Sequence, residues 1–266
     1  MTPTTTDAQQ SAEIQQVIKP VPFFFREKYS ELIVKGNFMT LAACPALVDE
    51  GEWLAHQVVQ QNQLLNGNLK MMQEVDTGTR MPLCNQHNCP KMFAGPHTTY
   101  TWLDENKRPV EVPAPTYISY VQKWIDGKVT DVAIFPTDTS NNARHPFTSQ
   151  PSTPSIASPT SNPFSQSSAM GSTGDWLGKS SGFPEHFEST IKSIYRQMFR
   201  CYTHLYYGHW QDFWDLGAHK PLNTCFLHFI NVGRVYGLIT DKDVEPMQPL
   251  LNIWTAKDFL KADGAA

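Results

Sequence analysis

Residues 187–210 read FESTIKSIYRQMFRCYTHLYYGHW. Within them Phe187, Ile191, Ile194, Met198, Cys201 and Leu205 follow at intervals of four, three, four, three and four. Each residue of an α-helix advances ~100° about the axis, so these six share one face. The stretch predicts a long amphipathic helix. It also carries His204 and His209, five positions apart. Five residues along an unbroken helix advance ~500°, which leaves the two imidazoles ~140° apart. They cannot then face one ion. Gly208 offers the break: the helix is expected to end there and the second imidazole to swing back.

Outward from this helix, the pattern continues. A second helix is predicted from Leu222 to Leu238, with Cys225, Phe226, Phe229 and Tyr236 on its apolar side. A short last helix starts near Pro246, which loses no hydrogen bond in a first turn. Upstream, Leu54, Val58, Leu65, Leu69 and Met72 place a long helix over Glu52 to Gln73. Gly67 costs that helix ~1 kcal/mol relative to Ala, so packing must hold the turn. Thr116 to Asp126 reads as another helix, with Gly127 as its stop. The period changes in 98–112: Tyr100 and Trp102 alternate with threonines, Asp104-Glu105-Asn106-Lys107 makes a polar turn, and Val110 and Val112 alternate again. That reads as a short β-hairpin. The fold class is mainly α.

Residues 1–20 lack apolar periodicity and are expected to form a disordered tail. Order is expected from Phe23-Phe24-Phe25, whose rings need a surface. Residues 137–181 are dominated by Ser, Thr, Pro, Asn and Gly, and cannot bury enough apolar area to offset the entropy of ordering. They are expected to be a disordered insertion between two parts of one domain, 21–136 and 182–256, with 257–266 as a C-terminal tail. The cost of closing a loop grows only logarithmically with its length, so the fold can carry it. Thr153-Pro154 and Ser158-Pro159 have the form of proline-directed phosphorylation sites, a form such composition also supplies by chance.

The chain has 266 residues, 40% of them hydrophobic and 17% charged, with a net charge of −4. That is enough apolar content for a core. The balance carries no basic stripe, which argues against a nucleic-acid partner. No apolar run reaches the ~20 residues that span a bilayer, so no membrane insertion is expected. The first residues have neither a basic nor an apolar signal region, and the chain is expected in the cytoplasm, with the nucleus and cell cortex also open. In that reducing setting the five cysteines are thiols or metal ligands rather than disulfides. No phosphate loop, G-x-S-x-G, H-E-x-x-H or kinase signature is present, so no catalytic residues or small-molecule substrate are assigned. An unrecognised hydrolase remains the rival.

Cys84 and Cys89 form a C-x4-C pair in PLCNQHNCPKM, and His204 and His209 an H-x4-H pair. Two thiolates and two imidazoles complete a tetrahedral zinc set. The pairs lie more than a hundred residues apart, so only the fold can unite them. Spacing alone leaves open that all four are ordinary core residues, as His87, Cys201 and His228 could also be.

Several ordered motifs carry a resemblance. FFFREKYSELIVKGNFMTLAACP, DEGEWLAHQVV, CPKMFAGP, YTWLD and FPTD precede the insertion, and FPEHF, RQMFRCYTHLYYGHW and LNTCFLHF follow it. Together they resemble the Mob (Mps-one-binder) or phocein family over Phe23 to Trp254. WLAHQVV, WIDGKVTDVAIFPTD and DWLGKSSGFPEHF look most like its fungal class-two branch. The resemblance implies a four-helix-bundle core tied by one structural zinc on Cys84, Cys89, His204 and His209. It implies a non-catalytic co-activator that binds the basic N-terminal extension of an NDR-type kinase, in cell polarity and morphogenesis. The matching docking positions are Phe38, Leu41, Glu52, Trp53, Phe135 and Pro136. Asp49 and Glu50 add charge beside them, to steer a cationic partner or to complement a helix N-terminus. The alternative is a phocein-like scaffold subunit of a phosphatase–kinase assembly. The family's basic trio for phosphothreonine falls on Arg196, Gln197 and Arg200. With an uncharged middle member, only Arg196 and Arg200 remain as an anion site.

Overall fold

The computed structural model describes residues 21–34, 36–76, 78–136 and 182–260. The tail expected at 1–20, the insertion at 137–181 with both Ser/Thr-Pro pairs, and residues 261–266 of the C-terminal tail expected at 257–266 lie outside the described residues; of the first four residues of that tail, Leu260 is buried and Phe259 packs against the core.

The helices in chain order are α1 (Phe38–Ala42), α2 (Glu50–Gln73), α3 (Ala114–Val129), α4 (Phe187–Asp215), α5 (His219–Val235), α6 (Asp241–Val244) and α7 (Gln248–Ala256). The central group is α2 to α5. α2 packs against α3, α4 and α5, and α4 packs against α2, α3 and α5, so α3 and α5 flank an α2–α4 pair. The face chosen by sequence is the buried one: Phe187, Ile191, Ile194, Met198, Cys201 and Leu205 are all fully buried. They meet Leu54, Val58, Leu65, Leu69 and Met72 in one core. The mainly helical expectation holds.

α2 begins two residues earlier than expected. Asp49 caps it, its side chain accepting from the N–H groups of Gly51 and Glu52 at 2.8 and 3.2 Å. Such a cap contributes ~1 kcal/mol. Gly127 does not stop α3, which runs on to Val129. The glycine faces solvent, while Val121 and Ile125 bury one side of the helix and hold it. The stop is Thr130, whose hydroxyl and N–H both donate to the Asp126 carbonyl. α5 runs from His219 to Val235 rather than from Leu222 to Leu238. It ends where Gly237 takes φ +58° and the Leu238 N–H turns back to the Gly233 carbonyl. Pro246 lies in a 3₁₀ turn, Glu245–Met247, before α7.

The hairpin is smaller than expected and has a neighbour. β3 (Trp102–Leu103) pairs antiparallel with β4 (Pro109–Val110). Asp104 holds the turn between them, its carboxylate accepting from the N–H groups of Asn106 and Arg108 at 2.8 Å each. β2 (Thr99–Tyr100) belongs to a separate ladder with β1 (Met92–Phe93), which the alternation of residues did not reveal. Of the three adjacent phenylalanines, Phe24 finds the expected surface, against Tyr206, Tyr207 and Trp210 of α4. α7 closes over the same N-terminal segment, Trp254 donating its indole N–H to the Ser30 carbonyl at 2.9 Å.

Candidate metal centre

The two ligand pairs come from different elements. Cys84 and Cys89 sit on the loop after α2. Its N-terminal end is tied to α2 by the Cys84 N–H donating to the Met72 carbonyl at 2.9 Å. Its other end is tied to α3 by the Ala114 N–H donating to the Cys89 carbonyl at 3.0 Å. Between them Asn85 acts as the local scaffold, its side-chain oxygen accepting from the N–H groups of His87 and Asn88. His204 and His209 come from α4.

The helix does not end at Gly208. It continues to Asp215, and His209 alone leaves helical geometry, with φ −134° and ψ 17°. The kink corrects the ~140° mismatch by rotating one residue instead of terminating the helix. The expectation of a helix end is therefore overturned, because Trp210 and Phe213 beyond the kink are buried and hold the last turns in place.

The four ligand atoms lie within 4.8 Å of one another, and all four residues are buried. Cys84 Sγ is 3.6 Å from His204 Nε2, and Cys89 Sγ is 3.5 Å from His209 Nε2. Zinc–sulfur and zinc–nitrogen bonds of about 2.3 and 2.05 Å at a tetrahedral angle put sulfur and nitrogen about 3.6 Å apart. The donor set and its spacing fit a tetrahedral ion. Cys84, Cys89, His204 and His209 can hold one, and four protein donors would fill the coordination sphere of such an ion, which is the structural rather than the catalytic pattern.

The hydrogen bond between the two thiols raises Cys84 and lowers Cys89, with burial adding to the rise at Cys84 and the imidazoles aiding the fall at Cys89. A metal held there would take both sulfurs as thiolates. Burial works against charge on His209, but hydrogen bonds to Cys89 and Asp212 outweigh it and the net shift is upward. Cys201, on the same helix, is pushed up to about 12 by burial and stands outside the group, as do His87 and His228.

The other residues singled out by sequence lie on α1 and the start of α2, after α3, and on α4. Phe38 and Phe135 are buried, the latter against Phe187 at 5.2 Å. Leu41, Glu50 and Glu52 are exposed, and Asp49, Trp53 and Pro136 half-buried. The Trp53 indole N–H donates to the Ala42 carbonyl at 3.2 Å, pinning α1 to α2. Sequence reading missed Leu47 and Val48, which are exposed directly before these carboxylates. No periodicity marks them, because they lie between helices. Arg196 and Arg200 do not converge. Arg196 is exposed, its side chain bending back to the Lys192 carbonyl. Arg200 lies 5.0 Å from the centre of the Tyr100 ring and donates to the Tyr117 hydroxyl at 2.8 Å. That hydroxyl in turn donates to Gln197 at 2.8 Å, so the uncharged middle residue of the trio is also engaged.

Comparison with known proteins agrees with this architecture. The sequence model of the Mob1/phocein family matches residues 30–154 and 172–247. Among curated relatives, the maintenance of ploidy protein mob2 of Schizosaccharomyces pombe is 29% identical, over 88% of this chain and 77% of its own. The CBK1 kinase activator protein MOB2 of Saccharomyces cerevisiae is 29% identical, over 92% of this chain and 67% of its own. The MOB kinase activator-like 1A of Arabidopsis thaliana is 29% identical, over 85% of this chain and 84% of its own. Mob2 proteins among these relatives support the fungal Mob2-like branch.

Proposed function

Because the chain belongs to the Mob1/phocein family, we propose that it is a non-catalytic co-activator and adaptor of an NDR-type serine/threonine kinase. In this reading it binds the basic N-terminal extension of the kinase and promotes its activity in cell polarity and morphogenesis. It works in the cytoplasm, and in the nucleus or at the cell cortex where its kinase takes it. A zinc ion in the Cys84–Cys89–His204–His209 cage serves as a staple, joining the loop between α2 and α3 to α4. The yeast relative's name, a kinase activator, supports the kinase partner.

The observation that carries the reading is the composition of the strip from α1 into α2. Leu41 is 54% exposed and Leu47 fully exposed, with Val48 beside them, and Glu50 and Glu52 point to solvent from the first turn of α2. Apolar anchors next to carboxylates suit an amphipathic, Arg/Lys-rich segment, with charge setting the encounter rate and apolar contact the lifetime. Phe38, which is buried, and Trp53, which bonds the Ala42 carbonyl, then act as supports that fix α1 and the strip on the bundle.

The test is co-purification with a recombinant NDR-type kinase that retains its N-terminal extension. Glu50→Lys with Glu52→Lys, and separately Leu41→Ala with Leu47→Asp, should abolish capture while circular dichroism stays helical. A kinase without its extension should not be captured by the unmodified chain. Undiminished capture by both double variants would refute the interface.

A further inference from the structure

The two imidazoles of the cage are held in different ways. His204 is held by packing: its ring stands edge-on to Phe93, with centroids 5.0 Å apart, and lies close beneath the backbone of Gly208. Its Nδ1 is buried and has no hydrogen-bond partner among the described residues. His209 is held by a hydrogen bond: its Nδ1 is 2.8 Å from Oδ2 of Asp212. The histidine side chain is 1% exposed and the carboxylate 35% exposed. Asp212 thus stands between a closed interior site and a surface cleft, which it lines together with Asp215, Glu74 and Leu216.

This matters because His209 is the residue that leaves helical geometry. Once the backbone has turned there, the imidazole could still flip and offer Nδ1 instead of Nε2 to the cage. A carboxylate three residues further along lies within ~60° of the same helical face and can reach back to the ring. It accepts a hydrogen bond from Nδ1–H, so Nε2 carries the lone pair and is the atom aimed at Cys89. An ionised acceptor also makes the imidazole a stronger donor to a cation.

We propose that Asp212 is the positioning residue of the metal centre, selecting the Nε2-ligating form of His209 and strengthening its hold on the ion from outside the cage. The proposal rests on the reading of the four-residue group as a metal site. A plain helical ion pair at i, i+3 is the competing account, and the two differ in what the metal feels.

The test uses the full chain loaded with cobalt(II), whose visible bands report the ligand field. Its affinity is measured against a competing chelator. Asp212→Ala should bind cobalt 10- to 100-fold more weakly, with altered bands. Asp212→Asn, which keeps an acceptor but no charge, should fall between the two, and Asp212→Glu should recover most of the loss. Asp215→Asn is the control: its carboxylate bonds Gln211 rather than His209, and it should bind like the unmodified protein. Unchanged affinity and spectrum in Asp212→Ala would overturn the proposal. So would an equal loss in Asp215→Asn, which would mean that only the charge of the cleft matters. An unmodified chain that takes up no cobalt would instead overturn the metal centre itself, and this role with it.

Discussion

A Cβ placed on Gly208 would lie 3.1 Å from Cε1 and 3.4 Å from Nε2 of His204, one helical turn below it on α4. The glycine is therefore needed for clearance over a ligand ring. It does not terminate the helix, since the kink falls on the next residue. Gly208→Val should push the His204 ring out of register and weaken cobalt or zinc binding by about tenfold or more, on the scale of other lesions beside a ligand. Gly208→Ala should show a smaller loss, because the ring needs to yield only a few tenths of an ångström and Ala favours the helix by up to ~1 kcal/mol. Chelator competition measures both.

Asn223 on α5 is buried and makes three bonds. It donates to the carbonyls of Tyr29 and Glu31 at 2.9 Å each, and accepts from the Tyr206 hydroxyl at 2.8 Å. Its neighbour Thr224 accepts from the Ile33 N–H at 3.0 Å. Together they lash the segment that leads into α1 to the bundle. Asn223→Ala leaves several buried polar groups unpaired and should cost about 3 kcal/mol in denaturant unfolding. Proteolysis should then start in the segment before α1.

His228 is buried on α5, and burial lowers its pKa. The folded state keeps it neutral while the unfolded chain titrates near its ordinary value of 6.5. A lowered folded value means that the unfolded state binds the proton first. Stability is therefore intact above about pH 6.5 and falls as the pH drops from there through the folded value. His219 is lowered by burial and adds to the same trend. Thermal melts between pH 7.5 and 5 should show a steeper acid loss for the unmodified protein than for His228→Leu.

Much of this fold can be read from periodicity, because the apolar faces of α2, α4 and α5 repeat over about three or more turns. Spacing made the two pairs candidates but left open that all four are ordinary core residues, and the family resemblance singled them out. Their union was not legible from spacing, as it depends on the tertiary ties of Cys84 to Met72 and of Ala114 to Cys89. Buried polar residues were invisible to the same reading. Gln57, Gln61 and Asn62 are buried on α2, and a search for apolar repeats assigns them to solvent. Asp212 was hidden differently: an aspartate three residues after a histidine gains meaning only once the histidine is placed in the four-residue group and the helix is seen to kink. Gly127 and Gly208 were both read as helix ends. Each instead lies inside a helix whose burial on the opposite side outweighs the propensity of one glycine.

One zinc ion on Cys84, Cys89, His204 and His209 would tie the loop between α2 and α3 to α4. Elemental analysis of the purified full chain, paired with melts in the presence and absence of a chelator, tests it most directly. One zinc per chain is predicted, with chelation lowering the melting temperature by well over ~10 °C, because the binding energy of a structural zinc is comparable to the whole stability of a domain. A folded protein without stoichiometric metal, melting identically with and without chelator, would contradict it.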